Sequence, residues 1–303
     1  MTANCLPAPA AQSHRRGILW MLLTVVLFVA MDTTAKKLGE SYPVPQVVWA
    51  RYAFHLLLVV AILRTGVTRV VSSRRLGLQL MRSALMLCIT FLFFQGLKRM
   101  PLAETNAVMA ISPVLITALS VPLLGEAVGP RRWLSVLAGL AGALIIIRPG
   151  VGAMQLAALF PLGAAFCYAL YQVTTRMMSR SDPPMTTLFF TAFIGAVVMS
   201  AWVPFLWVAP DATGWLLMAA VGVFGGLSHL TLIKALQAAP ASTVAPFSYT
   251  NLLWSVPFGF LVFGDLPDAW TVFGAAFIVG SGLYIYRRER VLQVETPRPA
   301  APS

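Results

Sequence analysis

The sequence predicts an all-α integral membrane protein of ten transmembrane helices, arranged as two inverted five-helix repeats. Three observations lead there. Of 303 residues, 58% are hydrophobic and 11% are charged, with a mean hydropathy of +0.80. A soluble domain has about a quarter of its residues charged. Apolar runs close to the ~20 residues that span a bilayer recur along the chain. Two motifs also return at one constant offset: LKRMPLAETNAV (97–108) matches LQAAPASTVAPF (236–247), and LLGEAVG (123–129) matches VFGDLPD (262–268).

The predicted spans are 18–35, 45–64, 77–97, 102–124, 132–147, 156–176, 186–208, 214–236, 241–263 and 269–286. The first follows Arg15 and Arg16 and has no clean small-residue cleavage site, so it reads as a retained helix. Gly125-Glu126 and Arg131-Arg132 separate the fourth span from the fifth. Segments 1–14 and 291–303, rich in Pro, Ala and polar residues, are expected to be disordered tails. Cys5, Cys88 and Cys167 show no ligand spacing and read as small apolar side chains plus one in a tail.

Pro101 aligns with Pro240, Gly125 with Gly264, and Glu126 with Asp265, each pair 139 positions apart. This divides the chain into halves at 15–150 and 151–290. Five spans per half is an odd number, so the second half enters the membrane from the opposite side. Inverted repeats of this kind place a solute site near mid-membrane between the halves. The basic residues give the orientation. Arg15, Arg16, Arg64, Arg69, Arg74, Arg75, Arg82, Arg131, Arg132, Arg176, Arg180, Lys234, Arg287, Arg288 and Arg290 fall on one side, against Lys36, Lys37, Lys98, Arg99 and Arg148 on the other. By the positive-inside rule both termini are cytoplasmic. The net charge of +12 is thus a topology signal and not a nucleic-acid surface.

Several segments resemble the drug/metabolite transporter superfamily, and within it the EamA-like ten-helix transporters. They are VVWARYAFHLLL around Arg51, LKRMPLAETNAVMAISPVL into the fourth span, LLGEAVGPRRWLSVLAGLAGALIIIRPG, and the second-half run from ALQAAPASTVAPFSYTNLLW to GSGLYIYRRE. The second half reads FGD where the first reads LGE, which keeps the charge on a shorter side chain. The resemblance covers nearly all of 16–290. It implies transport of a small organic solute across a bacterial inner membrane, its members being linked to amino acids, nucleotide-like metabolites, S-adenosylmethionine, riboflavin and drugs.

Candidate site residues follow from breaks and charges. The fourth span contains Pro113 and Pro122, and the ninth contains Pro246 and Pro257. A proline inside a helix removes a hydrogen bond, and bare backbone in lipid is costly, so such breaks mark a cavity wall or a packing kink. Pro161 and Pro204 lack repeat mates and read as kinks. Near the breaks, Asn106, Ser112, Tyr249, Asn251 and Trp254 combine polar and aromatic groups as an organic-ligand pocket does. Thr105, Ser248 and Ser255 accompany them.

Arg51 and Asp32 sit at similar depth on neighbouring spans. Either they pair inside the bundle, or Arg51 snorkels and Asp32 caps the end of the first helix. His55, one turn past Arg51, is either a proton relay or a hydrogen-bonded interior histidine, and His229 is read in the same way. Glu104 suits the dipole of a helix opened by Pro101, or carries a proton. Glu126 is expected to pair with Arg131 or Arg132. Lys234, opposite Gln95 in the repeat alignment, snorkels or serves an inner gate. The small-residue patterns Gly222-x-x-x-Gly226, Ser135-x-x-x-Gly139-x-x-x-Ala143 and Gly280-x-Gly282 allow close helix approach, with a dimer face one use for the latter two.

There is no GxxxxGK[ST] loop, so direct ATP use is not indicated. No HExxH, no GxSxG and no continuous polar stripe is present, which argues against a membrane enzyme and a channel. The expected partners are the lipid bilayer, a small-molecule substrate and a coupling proton or ion. No cofactor, metal or nucleic acid is indicated, and the protein is a monomer or a homodimer.

Overall fold

A computed structural model describes residues 8–66, 75–124, 130–147, 154–178, 183–239 and 245–295, together with Val70 and Ser73. Among them the regular structure is helical throughout: α1 Ala8–Ser41, α2 Val44–Leu63, α3 Leu76–Arg99, α4 Leu102–Met109, α5 Ser112–Leu124, α6 Pro130–Ile147, α7 Met154–Met178, α8 Pro184–Trp202, α9 Ala212–Ala238, α10 Thr250–Phe263 and α11 Ala269–Glu295. A 3₁₀ turn, Ala245–Tyr249, leads into α10. Six helices are long and apolar enough to cross a membrane: α1, α2, α3, α7, α8 and α9. Leu102–Ile116, Leu137–Ile146, Phe247–Phe263 and Ala269–Gly280 are shorter apolar segments.

Prolines open many of these helices, where the missing N–H costs nothing: Pro43 before α2, Pro101 before α4, and Pro183 before α8. Asp211 caps α9 by accepting from the Gly214 N–H at 2.6 Å. The terminal helices run further than the spans. Residues 8–14 and 291–295, assigned to tails by composition, continue α1 and α11. Runs such as Ala10-Ala11-Gln12 are good helix formers and extend an already nucleated helix at little cost.

The constant offset of the motifs extends to helix ends. Leu63 and Trp202 end α2 and α8, Arg99 and Ala238 end α3 and α9, and Leu124 and Phe263 end α5 and α10. Pro130 and Ala269 begin α6 and α11. Each pair is 139 residues apart.

Helix packing obeys the same exchange. α1 packs on α9 as α7 packs on α3, α2 on α9 as α8 on α3, and α5 on α7 as α10 on α1. Two pairs map onto themselves: α2 with α8, and α6 with α11. The halves are therefore interleaved about a pseudo-two-fold.

The α6–α11 pair packs closely, as the small-residue patterns allow. Gly142 lies so close to α11 that an added Cβ would stand 2.7 Å from the Gly274 carbonyl, and one on Gly274 would stand 2.6 Å from that of Gly142. Ala143, beside Gly142, is 1% exposed, so this face of α6 packs closely within the chain. Gly280 meets nothing within 4 Å, and the Ser135 and Gly282 side chains lie outside the described residues.

Candidate functional site

The fourth span is two helices. α4 ends at Met109, Ala110 and Ile111 form a turn, and α5 begins at Ser112. The cause is local. Proline at 113 has no N–H to give the Met109 carbonyl, and the Ser112 hydroxyl takes its place at 2.5 Å. The second half changes register at the equivalent position. Its 3₁₀ turn becomes α10 at Thr250, whose hydroxyl donates to the Phe247 carbonyl at 2.6 Å. Ile111 and Thr250 are 139 apart, and α4 and α10 lie against each other. Ser112 therefore seals a broken helix, which explains its burial.

The candidate ligand groups divide by this geometry. Asn106 is buried in α4, donates to the Leu102 carbonyl at 3.1 Å, and hydrogen-bonds the Asp32 carboxyl group. Tyr249 and Asn251 are half-buried. Trp254 is not an interior group: it is 41% exposed and shares its face of α10 with Leu261, which is 79% exposed. Ser255 and Gly259 are the buried positions of α10, and Pro257 is exposed. The Pro113 and Pro246 side chains lie outside the described residues.

Arg51 and Asp32 are both 3% exposed inside the bundle, and no direct ion pair joins them. No carboxylate lies within 4.0 Å of Arg51; among the described residues the ion pairs are Lys36–Asp265 and Lys37–Glu40. Arg51 donates to Thr90 Oγ1 at 2.9 Å and to Met31 Sδ at 3.4 Å, and lies over the Tyr52 ring at 4.8 Å. Tyr52 in turn bonds Thr90 at 2.8 Å. Asp32 feels the Arg51 charge and bonds Asn106. Arg51 is enclosed by the bundle and so does not snorkel.

His55 and His229 meet. Their rings stack with centroids 5.9 Å apart and planes 7° apart. Gly222 and Gly226 make this possible, because Cβ atoms there would lie 2.3 Å from Phe54 Cβ and 2.6 Å from Leu58 Cδ2. The small-residue pattern read from sequence thus draws α9 onto α2.

Sequence reasoning missed Arg82, counting it among surface cations. It is 8% exposed in α3, donates to the Tyr171 hydroxyl at 2.6 Å, and lies over that ring at 4.6 Å. The repeat offset held the signal. Tyr171 is the mate of Asp32, and His229 is the mate of Thr90, so paired positions of the two halves line one interior.

The other candidates differ in burial. Glu104 is buried in the first turn of α4, where the helix dipole favours it. Lys234 is exposed, its ammonium 4.6 Å from the centre of the Trp20 ring. Pro161, buried in α7, fills the space beside Gly96 as a packing element, and Pro204 lies in the turn after α8. Glu126 falls outside the described residues; its mate Asp265 pairs with Lys36 at 2.6 Å, joining the two halves.

Comparisons with known proteins agree with this arrangement. The sequence profile of the EamA-like transporter family matches residues 15–148 and again 155–287. A riboflavin transporter of Vibrio cholerae is 31% identical over 279 residues, covering 90% of this chain and 94% of that one. An S-adenosylmethionine uptake transporter of Rickettsia prowazekii is 23% identical over 281 residues, covering 93% and 96%. A pseudopaline exporter of Pseudomonas aeruginosa is 24% identical over 282 residues, covering 91% and 98%. A solved crystal structure shares the fold with a TM-score of 0.62 at 21% identity, covering 92% of this chain and 99% of that one.

Proposed function

Because the chain belongs to the EamA-like transporter family, we propose that it is a secondary active transporter moving a small organic metabolite across the inner membrane by alternating access. The ten predicted spans, in two inverted five-helix halves with cytoplasmic termini, supply the two states. Exchanging the roles of the halves turns an outward-open arrangement into an inward-open one. The single observation that carries the reading is Arg51. An arginine inside a membrane bundle without a carboxylate partner is expensive, and such residues mark solute pathways. Its remaining hydrogen-bonding capacity is directed to a substrate carboxylate, carbonyl or phosphate.

The relatives named for riboflavin and S-adenosylmethionine favour a ring-bearing metabolite; an amino-acid-like solute is the next choice. Export is the second reading, favoured by the relative named as an exporter. Among the groups considered for coupling, Asp32 fits best, as a buried carboxyl group held by Asn106 near Arg51. Lys234 is a surface group.

Purified protein in liposomes tests this with labelled riboflavin and S-adenosylmethionine. Flux should saturate, and Arg51→Ala should lower it at least ~10-fold, the scale of one lost charged contact. Linear, unsaturable flux of every solute would exclude a carrier.

A further inference from the structure

Among the described residues, buried polar atoms without a partner concentrate in one quarter of the bundle. They include both ring nitrogens of His55, Nε2 of His229, Nε of Arg82, and the hydroxyls of Ser83 and Thr186. These residues belong to α2 and to the three helices that pack on it, α9, α8 and α3, and α8 also packs on α3. Buried polar atoms in proteins are nearly always satisfied, so a cluster of open ones points to a ligand.

The cluster is rich in donors. Arg82 offers its Nε–H, since its terminal nitrogen is held by Tyr171. Each imidazole carries at least one N–H in any protonation state. The hydroxyls of Ser83 and Thr186 rotate to suit a partner. The cluster is also positively charged. Both Arg51 and Arg82 act electrostatically on His229, and among the described residues no carboxylate lies within 4.0 Å of either guanidinium. The Arg82–Tyr171–Tyr168 stack, with the two tyrosine rings 6.1 Å apart, fixes the guanidinium from behind.

We propose that Arg82, His55 and His229, braced by Tyr171, form a substrate subsite for a planar solute edge that is rich in hydrogen-bond acceptors and carries no positive charge. This rests on the transport reading above and makes it specific. A flavin pyrimidine edge, with its two carbonyls, meets the requirement. The sulfonium and ammonium of S-adenosylmethionine do not, because they would enter beside two guanidiniums.

The test is the ratio of riboflavin to S-adenosylmethionine uptake in liposomes, a quantity independent of how much protein inserts. The wild type should favour riboflavin, Arg82→Gln should lower the ratio at least tenfold, and Arg82→Lys should retain more of it than Arg82→Gln. On the wild type alone, an isoalloxazine without its ribityl chain should compete for uptake, whereas equal S-adenosylmethionine should not. That measurement decides the matter if Arg82→Gln does not fold. Saturable riboflavin uptake with an unchanged ratio in Arg82→Gln overturns the subsite and leaves the transport reading standing. Preference of the wild type for S-adenosylmethionine overturns it as well. Saturable uptake of neither solute overturns this proposal together with the reading beneath it.

Discussion

Gly264 shows how one residue can place a charge. It ends α10 with φ +73°, a left-handed conformation that costs an L side chain about 1–2 kcal/mol. The N–H groups of Gly264 and Asp265 then turn back onto the Phe260 and Gly259 carbonyls, and the Asp265 carboxylate is delivered to Lys36. Gly264→Ala should therefore lower the melting temperature of the detergent-solubilised protein by an amount equivalent to about 1 kcal/mol, although space is open around the site. Asp265→Asn should cost less, because the pair is partly exposed and such ion pairs contribute about 0–1 kcal/mol. Thermal unfolding followed by size-exclusion fluorescence separates the two, and an equal loss in both would count against the backbone argument. At the same scale, Asp32→Asn keeps a partner for Asn106 while removing the carboxyl group proposed for coupling. It is expected to bind substrate yet carry no protons with it, as read by a pH dye inside liposomes.

Helix pairs hold the next level of the design, and here the sequence was only partly readable. The offset of 139 was visible in two motifs, and it extends to helix ends and packing partners because each half repeats one folding pattern. The break in the fourth span was legible from Pro113, since proline acts on its own backbone. Facing partners were not. Asp32 with Asn106, Arg51 with Thr90, and His55 with His229 are separated by 74, 39 and 174 positions, and hydrophobic runs say nothing about which faces meet. Arg82 was misplaced for a related reason: a charge near a span end looks like a surface charge until a partner such as Tyr171 is known. The α2–α9 contact is the sharpest case. Gly226→Leu should push α9 from His55 and Leu58 and cost on the order of 1–3 kcal/mol, the usual range for overpacking. The loss should appear as reduced monodisperse yield and a lower melting temperature. Gly280→Leu, on an open face of α11, should leave both unchanged.

Across the whole molecule, the proposed alternating access would require the interleaved halves to move against each other, and α3 with α7 is one seam between them. Two cysteines without any sequence pattern turn out to meet there: Cys88 Sγ and Cys167 Sγ are 3.9 Å apart, and Cys88 is exposed. A disulfide needs the sulfurs to close to about 2.05 Å, a small shift for side chains already in contact. A mild membrane-permeant oxidant should therefore link α3 to α7 without added mutations, detected as loss of maleimide-reactive thiols and as halves that stay joined after cleavage between them. Under the pseudo-two-fold, α3–α7 and α1–α9 are the same contact seen from opposite halves, so exchanging the two states requires one to change as the other does. Fixing α3 on α7 should hold the protein in a single state. Substrate binding in detergent should persist, flux should fall at least tenfold, and reduction should restore it. The Cys88→Ser, Cys167→Ser double variant should transport normally and ignore the oxidant. Undiminished flux after complete cross-linking would mean that α3 and α7 travel as one body, and the moving seam would then lie elsewhere.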